Sequence, residues 1–292
     1  MNRTITAIQS SKGGVGKTTS TAILGSICAI SGQRVLIIDM DYQRNLTDLM
    51  IQEGQQMPEV TLSELVLNPL KPEEVMKAVI PTKVPGVSLI PADEDIHGLH
   101  YLIHDEVTHN GNESVVFHLR NNLLSVTGSH FDKVFIDTSP ALTYLSTVIT
   151  VAAGVTLIPI ESDNLNTQSI INILAMLDQT RDYYNIEEPK HGYVFMTRVQ
   201  SRTTRFREMT NGYTQLLGDI FLPIYIKSSE VVGRANTSFT PLLFTDRKCE
   251  TINEYISLLQ ALDYLNGEQF MRVKKYQRDG KQIIVEEESK KA

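Results

Sequence analysis

The 292-residue chain has only two cysteines, Cys28 and Cys249, and no CxxC pair. That excludes a disulfide framework and removes the usual thiolate cradle for an iron–sulfur cluster, so two reduced thiols are expected. No apolar run approaches the ~20 residues that span a bilayer. The first residues run directly into a strand-like segment, which leaves no room for a secretory leader, and a cytoplasmic protein is expected. Internal repeats and Pro- or Gly-rich linkers are also missing. Positive charge is in deficit, with 27 Lys and Arg against 34 Asp and Glu and a net charge of −7. On average this argues against a nucleic-acid binder. The deficit is uneven, however. Residues 198–248 hold eight basic side chains (Arg198, Arg202, Arg205, Arg207, Lys227, Arg234, Arg247, Lys248) and four acidic ones. That segment is therefore +4, which leaves −11 for the rest of the chain.

What is present is an ordinary globular composition, 41% hydrophobic and 21% charged, in a chain long enough to bury a sizeable core. Continuous apolar runs recur at Thr4–Gln9, Arg34–Asp39, Val87–Pro91, Lys133–Asp137, Val155–Ile160 and Gly192–Met196, with a weaker one at Ile220–Ile224. Such runs suit parallel strands buried on both faces, and helical stretches separate most of them. The pattern predicts an α/β fold: a doubly wound, mostly parallel sheet flanked by helices. Short helices are expected near Leu62–Leu67 and Glu73–Val79, and a longer one after Asn253. The expected organisation is one domain over 1–266 and a charged C-terminal tail over 267–292, read as solvated, partly disordered or an appended helix.

Three of the apolar runs lead into residues that carry chemistry. The first is followed by Lys12-Gly13-Gly14-Val15-Gly16-Lys17-Thr18-Thr19 and then a helical stretch. Glycines let backbone N–H groups converge on phosphate oxygens, a helix N-terminus lies behind them, Lys17 supplies a point charge and Thr18 a hydroxyl for Mg²⁺. Strand, loop, Lys, Thr and helix together predict a P-loop that binds ATP. The second run ends in Asp39-Met40-Asp41-Tyr42-Gln43-Arg44-Asn45. Carboxylates at strand C-termini of an open α/β sheet project toward the ligand crevice. The third ends in Asp137-Thr138-Ser139-Pro140, the arrangement in which a strand-terminal Asp holds Mg²⁺.

The loop has Ser11 where a P-loop commonly begins with Gly, and Lys12 follows it. This extra lysine resembles the deviant Walker A motif of the ParA/MinD/Soj family of ATPases. Asp39 to Asn45 is similar to that family's DxDxQxN motif, with Tyr42 in place of the usual Pro. Asp137 to Pro140 is similar to its DxPP motif, with Ser139 replacing one Pro. The likeness covers roughly residues 4–262. It implies that Lys12 reaches across a sandwich homodimer to the partner's nucleotide and that Asp41 activates the attacking water, with Asp39 in support. It further implies that Thr18 and Asp137 hold Mg²⁺ and that Phe195–Arg198 lies where the family contacts the base. The stretches Arg202–Glu208 and Ile226–Leu242 also resemble family segments. By their place in them, Arg205, Lys227 and Arg234 become the leading candidates for phosphate contacts on DNA.

The resemblance implies a ParA-type ATPase for plasmid or chromosome segregation. Its ATP-bound dimer would bind DNA non-specifically, and a centromere-binding ParB-type partner would stimulate hydrolysis. The P-loop begins at Lys12, so an N-terminal helix-turn-helix and sequence-specific operator binding are not expected. The alternative is a MinD-like ATPase that associates with membrane for spatial positioning. Gln282–Glu288 is acidic and β-branched, a poor match to anionic lipid. The isolated cysteines disfavour a nitrogenase-type relative, and the lone Tyr276 disfavours a tyrosine autokinase.

Overall fold

A computed structural model describes residues 4–161, 167–186, 191–200 and 203–280. The chain order is β1 (Ile5–Ile8), α1 (Lys17–Ile30), β2 (Val35–Met40), α2 (Asn45–Met50), α3 (Leu62–Leu67), α4 (Pro72–Met76), β3 (Ile80–Pro81), β4 (Val87–Ile90), α5 (Ile96–Thr108), α6 (Val115–Val126) and β5 (Lys133–Thr138). It continues with α7 (Tyr144–Ala152), β6 (Val155–Glu161), α8 (Thr167–Tyr183), β7 (His191–Val199), α9 (Thr204–Leu217), β8 (Phe221–Lys227), α10 (Glu230–Thr237), α11 (Leu242–Thr245), α12 (Glu250–Ala261) and α13 (Gly267–Asp279). The strands form one sheet in the order β3-β4-β2-β5-β1-β6-β7-β8. All pairings are parallel except the short β3, which runs antiparallel to β4 at one edge. This is the expected doubly wound sheet.

Alternation along the central strands feeds two cores. Val35 and Ile37 of β2, with Phe135 of β5, join the cluster built on α1, α2, α12 and α13. Leu36, Ile38 and Met40, with Val134 and Ile136, join the opposite cluster under α3 to α7. A strand covered on both faces has no polar side, which is why these runs read as uninterrupted apolar sequence. The same period of two decides where the carboxylates go. Asp39 and Asp137 sit in register on neighbouring strands, so both project toward the face covered by α1 and α2.

Helix α1 packs closely on that face. A Cβ on Gly25 would lie 2.9 Å from Ile37 Cγ2 and 3.6 Å from Val35 Cγ1. Gly25→Ala is therefore expected to lower stability by about 1–2 kcal/mol, the overpacking cost outweighing a helix-propensity gain of about 1 kcal/mol. A lower urea midpoint with unchanged m-value is the expected result, and an unchanged or raised midpoint would contradict it.

The C-terminal helices complete this layer. Tyr255 on α12 hydrogen-bonds Ser20 on α1 at 2.7 Å, and Tyr264 hydrogen-bonds Thr6 at 2.6 Å. The charged segment from 267 is helical as far as Asp279. Its Val273 and Tyr276 are buried in the same core, with Phe270 packed against it. A solvated tail over this stretch is not what the structure shows, because those three apolar residues lie on one helical face. Residues 281–292 are outside the described residues. Cys28 and Cys249 are both free and buried; Cys249, at the N-cap of α12, joins the core.

Candidate nucleotide site

The loop between β1 and α1 lies at the centre of the sheet, where β1 is flanked by β5 and β6 and the connections diverge to either side. In open α/β sheets the ligand crevice lies there, beyond the strand C-termini. Gly14 and Gly16 take positive φ of 80° and 86°, a region that Cβ-bearing residues rarely visit. A Cβ at Gly13 or Gly16 would meet nothing within 4 Å, so the backbone faces open space. Gly16 caps α1 without a side-chain hydrogen bond, and no acidic residue occupies the first turn. The amides at this helix start are thus not engaged by a capping side chain, the arrangement that receives an anion. Val15 is buried below the loop, its carbonyl accepting from Thr197 Oγ1 at 2.8 Å.

A cavity of about 380 Å³ opens above. Gly13, Gly14, Gly16, Lys17, Thr18 and Thr19 line it together with Asp41 and Arg198. Lys17 is 7% exposed, and its ammonium donates to Lys12 O at 3.2 Å. Burial lowers its pKa, while Asp137 and Asp41 act in the other direction. Lys17 is thus a desolvated cation close to two carboxylates, positioned for an anionic ligand that can satisfy it better than a carbonyl.

Asp137 is fully buried. The Thr18 hydroxyl hydrogen-bonds its carboxylate, and Thr138 N–H donates to Oδ1 at 3.1 Å. Oδ2 has no hydrogen-bond partner among the described residues. Burial, and next the adjacent Asp39, raise its pKa well above the usual carboxylate value. An orphaned carboxylate oxygen beside a hydroxyl and a phosphate-binding loop fits an oxygen-liganded Mg²⁺. Asp39 is different. Its Oδ2 accepts from Thr47 N–H at 2.8 Å and from Thr47 Oγ1 at 2.7 Å, and Oδ1 accepts from Asp41 N–H at 3.2 Å. It therefore ties β2 to α2 and orients the following turn. Asp41 emerges from that turn into the cavity, with Oδ1 held by Gln43 N–H at 3.0 Å.

Three features were not visible in the sequence. Glu161, at the end of β6, accepts from Lys12 Nζ at 2.5 Å through Oε2 and pairs with Arg198 at 3.3 Å through Oε1. Asn236 on α10 donates to Thr19 Oγ1 at 2.9 Å. A second cavity of about 340 Å³ adjoins the first and shares Gly16, Thr19, Arg198 and Asn236 with it. Arg198, expected near the base, stands between the two. Lys227 lines the second cavity, and its ammonium is bound by Glu250 at 2.5 Å and Glu254 at 3.6 Å. Arg234 is exposed on α10, and no ion pair is found for it among the described residues. Arg205 falls on α9 with its side chain outside the described residues, as is Arg202.

A glycine-rich loop closing on a helix start, with a buried Lys, a Thr–Asp pair and a strand-end Asp, defines a P-loop ATPase of the ParA/MinD type. A family model described as an AAA domain (AAA_31) matches residues 3–187, and the chain belongs to that family. It is 28% identical over 260 residues to the chromosome partitioning protein ParA of Caulobacter vibrioides, covering 88% of this chain and 93% of the relative. Among solved structures it resembles the ATP complex of an Asp-to-Ala variant of McdA from Cyanothece. That likeness has a TM-score of 0.74 at 23% identity and covers 90% of this chain and 97% of that one. It also resembles the cobyrinic acid a,c-diamide synthase of Mycobacterium smegmatis with bound ADP and magnesium. There the TM-score is 0.69 at 23% identity, over 97% and 98% of the two chains.

Proposed function

We propose that this chain is a Mg²⁺-dependent ATPase of the ParA partition type, working in plasmid or chromosome segregation. The carrying observation is that Lys17, Thr18 and Asp41 line one cavity of about 380 Å³, with Asp137 buried behind Thr18, hydrogen-bonded by its hydroxyl and carrying the orphaned Oδ2. The relative named a partitioning protein and the neighbours solved with ATP, or with ADP and magnesium, support the reading. The loop amides and Lys17 bind the β- and γ-phosphates, and Thr18 and Asp137 would hold the metal. Mg²⁺ there supplies charge neutralisation on the phosphates. Asp41 orients and deprotonates the attacking water.

In this reading the chain forms a homodimer on binding ATP, with Lys12 completing the partner's site. The dimer binds DNA without sequence preference, and a ParB-type centromere-binding protein triggers hydrolysis. The protein is cytoplasmic and nucleoid-associated when ATP-bound. Among the described residues no helix is long and apolar enough to cross a membrane. The Gln282–Glu288 segment that bears on the MinD-like alternative lies outside them.

DNA binding in this reading rests on the +4 segment. Lys227 is exposed but paired with Glu250, whereas no ion pair is found for the exposed Arg234 and Arg207 among the described residues. Binding of a random-sequence duplex in a mobility-shift assay should require ATP and weaken steeply with salt. Arg234→Ala is expected to reduce affinity and flatten the salt slope by about one unit, and Lys227→Ala to do less. Absence of any ATP-dependent shift at low salt, with sedimentation on anionic liposomes, would refute this reading and favour the membrane one.

A further inference from the structure

Lys12 lies on the loop before α1 and Arg198 on β7; Arg198 lines the phosphate cavity, and Lys12 lines a small neighbouring pocket together with Glu161. Each is held by the same carboxylate. Glu161 accepts from Lys12 Nζ at 2.5 Å, and its other oxygen takes Arg198 at 3.3 Å. The placement follows from the sheet. Glu161 ends β6, directly beside β1 and in register with Thr197 of β7, so its side chain rises between the P-loop and Arg198. Its side chain is only 15% exposed, against 28% for Lys12. Both oxygens are therefore occupied by cations in a partly desolvated setting, where a pair is stronger than at an open surface.

We propose that Glu161 is a positioning residue that latches Lys12 onto its own protomer in the nucleotide-free chain, a contact that ATP-driven pairing of two chains must break. This rests on the reading that Lys12 serves the partner's nucleotide. A lysine bound in cis at 2.5 Å is not extended toward a second copy. Releasing it exchanges one carboxylate for the more highly charged triphosphate of the partner, so the exchange is favourable only when ATP is bound there. The latch sets a threshold that keeps the apo chain monomeric, and each dimer must open two latches. A factor of about three per latch, typical of a modest ion pair, becomes about tenfold in the dimerisation constant.

The experiment has two arms. In the nucleotide-free protein, acylation of Lys12 by an amine-reactive reagent is followed by mass spectrometry in wild type and in Glu161→Gln, whose near-isosteric side chain preserves the shape of the site. The variant should label several-fold faster at Lys12 and equally elsewhere; equal labelling at Lys12 overturns the latch, whatever the oligomeric state. In the second arm, light scattering follows dimerisation against ATP concentration. Glu161→Gln should raise the dimerisation constant about tenfold over wild type, and in a Lys12→Ala background the same change should have no effect. An unchanged or weakened dimer in Glu161→Gln, or an equal gain in the Lys12→Ala background, overturns the proposal. If wild type forms no ATP-dependent dimer, the partner-site reading of Lys12 fails, and the labelling arm still decides whether Glu161 holds it.

Discussion

Lys17→Ala should abolish measurable ATP binding. Lys17 is the buried cation of the cavity, and among the described residues its ammonium donates to the Lys12 carbonyl. Removing one partner of a desolvated charge pair costs about 2–5 kcal/mol, which is roughly a 30- to 5000-fold loss in affinity. Two further effects act in the same direction. Asp137 and Asp41 both lie close enough to Lys17 to stabilise its charge. Without the lysine they would present uncompensated negative potential to the phosphates. Folding should survive, because burial already disfavours the ammonium and alanine brings no charge of its own into the site. Calorimetry with Mg·ATP tests the affinity and a thermal melt tests the fold. Binding as tight as wild type would mean that the cavity is not a phosphate site.

The residues that define this cavity were legible where the chemistry is local. The Gly13–Thr19 loop is contiguous, and its glycines, lysine and threonine each mark a requirement of phosphate binding. Asp41 and Asp137 could be placed because each follows an apolar run, and strand ends of a parallel sheet converge on one crevice. The division of labour between Asp39 and Asp41 was harder to see. Both carboxylates terminate the same run, and only the Thr47 contacts show that Asp39 faces inward. Glu161 and Asn236 had no local signal. Their partners lie 149 and 217 residues away in sequence, and nothing in Ile-Pro-Ile-Glu or Arg-Ala-Asn marks them. Helix α13 was obscured by its charge, since Phe270, Val273 and Tyr276 are three apolar residues in a polar stretch. The two-residue strand β3 contains Pro81 and is too short to show a period. Lys227 shows why a charge count misleads: the sum over 198–248 registers the lysine and leaves out Glu250, two residues beyond the window.

The opposite separation, binding kept and turnover lost, is expected for Asp41→Ala. Asp41 lies just past the end of β2. Asp39 Oδ1 accepts from its backbone N–H at 3.2 Å, and Gln43 N–H steadies its carboxylate at 3.0 Å. Those contacts orient the side chain into the cavity beside Lys17 while leaving the Thr18–Asp137 pair untouched. Truncation therefore removes neither the phosphate ligands nor the metal ligands. It also removes a negative charge from a cavity that must accept a polyanion, so ATP affinity should be unchanged or slightly higher. What is lost is a carboxylate able to take the proton from attacking water, a contribution of about 10²–10⁴-fold in rate. The expected result is a fall in kcat of at least about 100-fold, with KM for ATP within about threefold of wild type. Such a split reports an interaction made in the transition state and not in the ground state. On the proposed dimer cycle the variant should also accumulate as the ATP-bound dimer, because hydrolysis, the step proposed to dissolve it, is blocked. Turnover within tenfold of wild type would move water activation to another residue. Loss of ATP binding would instead place Asp41 among the groups that hold the nucleotide.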